Sequence, residues 1–278
     1  TVQHYSPREW KGLFAAKADI VIHLERIFPV WRWKGNVNFL IPNQERFPRR
    51  HVKRLKHADH VLCKTSHARD VFSKLHGSVH LIGFTSPDRC LGAVQPDYEQ
   101  CFHLAGRSTV KGTGSVIEAW KRHPEWPELV LVQHPDNAPQ SVPPNVSLLS
   151  RVVPDAELRR LQSTCGIHVC TSLSEGWGHY IVEAMSCSAV VITTDGPPMN
   201  ELVQPQRGIL VGSEVQKPRH LGTDFLVSVD GLEKAVQSLL LRTSAEKESL
   251  GRNAREWFEE NDRRFRETLV NTIDALTR

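Results

Sequence analysis

Short apolar runs separated by polar, helix-forming stretches recur along almost the whole chain, and this alternation restricts the fold more than any other feature. Residues 18–24, 37–41, 59–63 and 79–82 read as buried strands, each ending in polar residues. Between the last two, 66–76 reads as a helix capped by Ser66. Strands that alternate with helices predict a parallel sheet. At 87–96 the turn formers Pro87, Gly92 and Pro96 interrupt the pattern, which places a domain boundary there. The rhythm then restarts. Strands are expected at 101–105, 129–132, 146–149, 167–170, 189–192 and 208–211, and helices at 114–122, 155–162 (capped by Asp155) and 181–186. From about Ser244 the tail is helical and charged, with Trp257, Phe258, Phe265, Leu269 and Ile273 as its apolar stripe.

Composition narrows the class. Hydrophobic residues make up 40% and charged residues 24% of the 278, ordinary for a globular protein that buries a core. No run approaches the roughly 18 apolar residues of a membrane span. Thr1 to Trp10 lacks the apolar core of a secretory signal, and with no Met at the start the chain is open to an upstream extension. The six cysteines have no zinc-type pairing; several sit in apolar runs, so they read as buried free thiols in a reducing, cytoplasmic setting. The net charge of +4 suits an anionic ligand or a membrane surface without demanding nucleic acid.

In an open parallel sheet, ligands gather outside the carboxyl ends of the strands. Two loops here suit that position. The first, Ala105-Gly106-Arg107-Ser108-Thr109-Val110-Lys111-Gly112, sets a guanidinium and an ammonium four residues apart, a pairing that fits a diphosphate. The second, Ser172 to Tyr180, contains Glu175-Gly176-Trp177-Gly178-His179 and opens a helix, offering free N–H groups and the positive end of a dipole. Glu183 lies eight residues beyond Glu175, about two helical turns, so both could face one crevice. Each feature alone is commonplace in loops and turns; their succession in one βα series carries the weight.

That succession resembles the retaining glycosyltransferases of family 4. Gly106-Arg107 to Lys111-Gly112 is similar to their G-R-x-x-x-K-G element. Ser174-Glu175-Gly176-Trp177-Gly178-His179-Tyr180-Ile181-Val182-Glu183-Ala184 is similar to their E-x7-E signature, and 193–203 and 208–211 resemble the next two turns, so the match spans about 98–215. The resemblance implies the GT-B fold, an α/β architecture of two Rossmann-like domains facing a cleft. These are a short acceptor-side domain at 1–95, a nucleotide-sugar domain at 96–256 and a C-terminal helix at 257–278 crossing back to the first. It implies that Arg107 and Lys111 grip the donor diphosphate and that Glu175 holds a sugar hydroxyl beside the Gly176 and Gly178 amides. Trp177, His179 and Tyr180 belong to the same donor loop. Glu183 would bond the ribose, and Arg151, Val152 and Val153 would lie where the base is cradled. It further implies hexosyl transfer from a UDP- or GDP-sugar to a hydroxyl acceptor of a glycan or glycolipid precursor, with retention and through no protein nucleophile. No cofactor and no metal are expected: fixed cations stabilise the leaving diphosphate, and no Asp-x-Asp element stands in a suitable loop.

Family members carry a longer N-terminal domain, so here it is expected to be reduced, or the chain to start late. Its acceptor-side candidates are strand-end residues: His23 and Glu25, then Asn43, Gln44 and Glu45. His23 reads equally as a hydrogen-bonded core histidine, and Asn43-Gln44 as a turn. The basic stretch from Arg46 to Lys56 has Val52, Leu55 and Ala58 at helical spacing. It is either one solvated face or a peripheral contact with an anionic membrane; nucleic acid is disfavoured because no aromatics interleave with the charges. A nucleotide-sugar epimerase and a degenerate sugar-nucleotide scaffold remain the alternatives.

Overall fold

Residues 2–5, 14 and 16–278 are described by the computed structural model; of the opening segment Thr1 to Trp10, only 2–5 fall among the described residues. In the first of two sheets, β1 (Ala18–Glu25), β2 (Gly35–Pro42), β3 (His60–Cys63) and β4 (Val79–Leu81) lie side by side in chain order, every pair parallel. Alternation along each strand decides what its two faces meet. Leu40 of β2 and Val61 and Cys63 of β3 join a core with Ile27, Phe47, Leu55 and Phe72. Their neighbours Phe39, Ile41 and Leu62 face the other way, beside Ile82. The crossovers are slight. A 3-10 helix (Pro29–Lys34) joins β1 to β2, two more (Gln44–Arg46 and Arg49–His57) join β2 to β3, and α1 (Ser66–Phe72) joins β3 to β4. The basic stretch is thus a 3-10 helix that buries Leu55 and exposes Arg49, Arg50, Lys53 and Lys56.

The second sheet holds β5 (Asp97–Gly106), β6 (Leu129–Gln133), β7 (Val146–Leu149), β8 (Cys165–Cys170), β9 (Val190–Asp195), β10 (Gly208–Arg219) and β11 (Gly222–Val227). Their order is β11-β10-β9-β8-β5-β6-β7, parallel except for the β10–β11 hairpin. One face is covered by α2 (Thr113–Arg122) and α6 (Val229–Leu240), with Val116, Trp120, Leu232 and Leu239 against Cys101, Ile167, Val169 and Ile192. The other is covered by α3 (Asp155–Thr164), α4 (His179–Ser186), α5 (Met199–Leu202) and the start of α7 (Ser244–Thr277). The winding direction reverses between β5 and β8, so the loops leaving these two strands part and open a crevice, the position where doubly wound sheets bind ligands.

The two sheets share α7. Its Ala254 and Phe258 lie in the second sheet's core, and Phe265, Leu269, Ile273 and Leu276 cover the Phe39–Ile41–Leu62 face of the first.

Two expected helix caps are displaced by one residue. Thr65, not Ser66, caps α1, its hydroxyl accepting from the Ala68 N–H at 3.1 Å. In α3 the cap position is Pro154; Asp155 is already helical, and its carboxylate pairs with Arg89 at 2.8 Å. The strand expected at 208–211 runs on to Arg219 and returns as β11, which the sequence reading missed. All six cysteines are free and five are buried. Burial pushes the Cys63 and Cys165 thiols up to about 12, so they behave as small apolar side chains.

Candidate functional site at the switch point

The loops after β5 and β8 are stitched together. Leu173 N–H donates to the Val110 carbonyl at 2.9 Å, and the Thr171 hydroxyl to the Lys111 carbonyl at 3.1 Å. Gly112 makes this possible: its φ is 71°, and a Cβ there would run into Thr171. Beneath the joint, buried His103 donates from Nδ1 to the Val169 carbonyl at 2.7 Å and accepts at Nε2 from the Thr113 hydroxyl at 3.0 Å. Burial pulls its pKa to about 4, so it is a neutral strut rather than an acid or base.

On this platform Lys111 Nζ lies 2.5 Å from Glu175 Oε1 and 3.5 Å from the Tyr180 ring centre. The Ser172 hydroxyl donates to the same Oε1 at 2.6 Å and accepts from Tyr180 at 2.7 Å. The cation, carboxylate, hydroxyl and phenol therefore form one continuous network at the mouth of α4. Gln162 of α3 donates to Glu183 at 3.1 Å. Burial pushes the Glu183 carboxyl up, and the Gln162 bond and the Arg89 and Lys111 charges oppose it. Lys111 thus acts electrostatically on both glutamates. The two-turn argument for their common orientation does not hold, however: α4 begins at His179, and Glu175 stands on the loop before it.

Other expected donor residues are spread around this centre. Arg107 stands at the rim, largely exposed, paired with Asp136 at 3.1 Å rather than beside Lys111. Arg151 pairs with Glu157, Val152 is 77% exposed, and Val153 packs near Leu158 and Leu161. Trp177 and His179 face the first sheet's end. Trp177 meets Phe84 edge-on at 6.1 Å, and His179 Nδ1 lies 2.9 Å from the Ser86 hydroxyl.

The first sheet brings its own strand ends to the same place. The Gln44 amide donates to the Glu175 carbonyl at 2.9 Å. A Cβ on Gly176 would lie 2.5 Å from Asn43 Oδ1 and 2.9 Å from Glu45 Oε2, so only glycine lets the two loops approach this closely. Asn43 also donates to Glu25 at 3.1 Å and accepts from Lys64 at 2.6 Å. Glu25 itself sits at φ 62°, a left-handed conformation rare outside glycine. Burial raises the Glu45 carboxyl to about 7; the Glu175 charge adds to this, and a backbone bond, Lys64 and Arg46 oppose it. His23, by contrast, is held in the sheet, its Nε2 3.2 Å from Asn38 Oδ1, and burial lowers its pKa.

Three contributors escaped the sequence reading. Lys64 follows β3, buried, and crosses the Phe84 ring at 4.6 Å; a lysine directly after an apolar strand was the available signal. Glu201 of α5 accepts from the Ser66 and His67 N–H groups at 2.7 and 2.8 Å, tying the two halves together. The tip of the β10–β11 hairpin reaches the first sheet: Leu221 donates from its N–H to the Gln44 carbonyl at 3.1 Å, and Gly222 packs on Glu45. Neither of the last two had a local signal, because both depend on which surfaces the fold brings together.

Residues 141–257 match the family described as glycosyl transferases group 1. The match takes in the Glu175–Glu183 loop and the whole β8–β10 region. No curated protein matches the sequence. Among solved structures, a sucrose-phosphate synthase from Thermosynechococcus elongatus aligns over 93% of this chain and 74% of its own, with TM-score 0.68 and 16% identity. HepE from Anabaena, solved with UDP and glucose, aligns over 92% and 78%, with TM-score 0.70 and 16% identity. The pneumococcal O-GlcNAc transferase GtfA, solved with UDP and GlcNAc, aligns over 96% of this chain but 58% of its own length, with TM-score 0.66 and 15% identity. These likenesses show the fold: two Rossmann-like sheets in the arrangement of GT-B glycosyltransferases. Among the described residues, no helix is long and apolar enough to cross a membrane.

Proposed function

We propose that this chain is a retaining hexosyltransferase that takes its sugar from a nucleotide diphosphate and passes it to a hydroxyl acceptor. The observation that carries the reading is the Lys111–Glu175 pair, set at the switch point between the loops of β5 and β8. An arriving diphosphate competes for the ammonium, and charge-assisted bonds to phosphate oxygens replace the single carboxylate contact. Glu175 is thereby released toward a sugar hydroxyl, with the Gly176 and Gly178 amides beside it. As the glycosidic bond breaks, negative charge grows on the diphosphate and Lys111 stabilises it without reorganisation; Arg107 at the rim adds a second cation. Glu183 takes the ribose hydroxyls, and Arg151 to Val153 edge the base. The donor is UDP- or GDP-linked, and the reaction needs neither metal nor cofactor. Attack comes from the face the diphosphate leaves, without a protein nucleophile. The acceptor is a glycan or glycolipid precursor in the cytoplasm.

The basic 3-10 helix suits peripheral contact with an anionic membrane face. Arg32, 2.7 Å from His57, joins it to Trp33, which is 68% exposed. Co-sedimentation with phosphatidylglycerol vesicles but not phosphatidylcholine vesicles is expected; equal recovery with both would remove this contact.

Calorimetry with UDP, GDP, ADP and their hexose conjugates, with and without EDTA, tests the reading. Tight binding of one nucleotide that survives EDTA is expected. Binding by none of them would mean that a fuller N-terminal half is needed for donor binding or that the chain is a degenerate scaffold.

A further inference from the structure

The segment 87–96, read from the sequence only as a domain boundary, carries an arginine that is bonded into the helices of the second sheet. Arg89 is fixed twice over. Its backbone N–H donates to the Ser186 hydroxyl at 2.9 Å, and its carbonyl accepts from Arg159 at 3.0 Å and from the Ser163 hydroxyl at 3.2 Å. Its guanidinium meets Asp155 at 2.8 Å and donates from Nε to Gln162 Oε1 at 2.7 Å. Gln162 is 1% exposed, and its amide nitrogen donates in turn to Glu183 Oε2 at 3.1 Å. Side chains from the linker, α3 and α4 thus form one directed chain that ends on a carboxylate of the site.

The direction follows from donor chemistry. An amide can present either its oxygen or its nitrogen to a neighbour, but a guanidinium only donates, so Arg89 requires the Gln162 oxygen. The NH2 group is then turned toward Glu183, which accepts. One carboxylate oxygen is held in this way. The other, Oε1, has no partner among the described residues, yet it is not sealed from solvent, and Glu183 as a whole is only half-buried. Burial pushes the Glu183 carboxyl up; the Gln162 bond and the Arg89 and Lys111 charges oppose this, and Asp155 adds to it.

We propose that Arg89 is a positioning residue for nucleotide selection: through Gln162 it aims Glu183 at the ribose hydroxyls and so sets the preference for ribonucleotides over 2′-deoxyribonucleotides. The inference rests on the nucleotide-sugar reading above and gives the linker a part in choosing the donor. A carboxylate free to turn must lose rotamer freedom at the moment of binding, which weakens its bond to a hydroxyl; one already held by Gln162 does not. A site built to bond a hydroxyl then rejects the analogue that lacks it.

The test is calorimetry with UDP, GDP and ADP and the 2′-deoxy counterpart of each. Two variants separate the directed bond from packing. Gln162→Glu keeps the shape and still accepts from Arg89, but has no amide N–H for Glu183. Arg89→Met keeps the linker's backbone bonds and removes the donor that orients the amide. The parent is expected to favour the ribonucleotide it binds best over its 2′-deoxy form by about tenfold. In both variants this preference is expected to fall below about threefold, with 2′-deoxynucleotide affinity within about threefold of the parent. A preference undiminished in either variant overturns the relay. So does equal weakening of both nucleotide forms, which marks the bonds as structural only. Should Gln162→Glu fail to fold, Arg89→Met decides alone. A parent that binds both forms equally takes the ribose away from Glu183 and overturns this inference while the donor reading stands. Parent protein that binds none of the nucleotides removes the donor site from this chain, and this inference with it.

Discussion

Strands β1 and β8 both lie in parallel sheets, yet β8 buries all six of its residues whereas β1 buries only His23. The difference follows from what covers them. β8 is central in a seven-stranded sheet with helices on both faces, and β1 is an edge strand served by short 3-10 crossovers. The second sheet therefore fixes the rigid part of the site, the stitched loops carrying Lys111 and Glu175. The first sheet contributes groups whose positions depend on contact across the seam. Rigid and contingent halves of one site should respond differently to perturbation.

The largest expected contrast is in pH dependence. Glu45 rises from its ordinary 4.5 to about 7 in the folded chain. Between these values the folded state binds the proton and the unfolded state does not. Its contribution to stability is thus fully present below about 4.5 and is lost as pH rises through about 7, by about 3 kcal/mol in all. The groups facing it, Glu175, Lys64 and Arg46, shape that window. Denaturant melts from pH 4.5 to 8 should show this decline in the parent and not in Glu45→Gln; parallel curves would place the proton elsewhere. On the rigid side, Lys111→Ala should weaken nucleotide-sugar binding by about thirtyfold, or about 2 kcal/mol, with little change in melting temperature. Unchanged affinity there would dissolve the site.

Gly176→Ala strikes the seam itself, forcing a methyl within 2.5 Å of Asn43 Oδ1. About 1–2 kcal/mol of stability should be lost as the two loops part; melting that matches the parent would mean the seam yields freely. Arg107→Ala is expected to move least. Its partner Asp136 is as exposed as itself, so stability should change by less than about 0.5 kcal/mol, with donor affinity falling only a few-fold in titrations at low salt.

The same contrast explains what could be read from the sequence. Continuous apolar runs such as Leu129 to Val132 and Ala189 to Ile192 announce buried parallel strands, and the Gly-bounded loops of the same series announced the Lys111 and Glu175 positions. Helix caps went wrong by one residue because Thr65 and Ser66 are chemically interchangeable, and only the backbone decides between them. The spacing of Glu175 and Glu183 suggested one helix face, although Gly178 sets the helix to start between them. Lys64 could have been noticed as a lysine directly after an apolar strand, but Glu201 and the hairpin tip meet residues far away in the chain, and no local pattern could register that.

The path of α7 has a consequence for biosynthesis. The helix spans about 50 Å at 1.5 Å per residue, and its last turns supply Phe265, Leu269, Ile273 and Leu276 to the sheet formed from residues 18–81. A ribosome therefore releases the Phe39–Ile41–Leu62 face long before it makes the residues that cover it. During elongation the nascent first sheet carries an uncovered apolar surface, which is prone to wrong partners. Holdase chaperones would have their greatest opportunity in that interval, which ends when the last turns of α7 clear the exit tunnel.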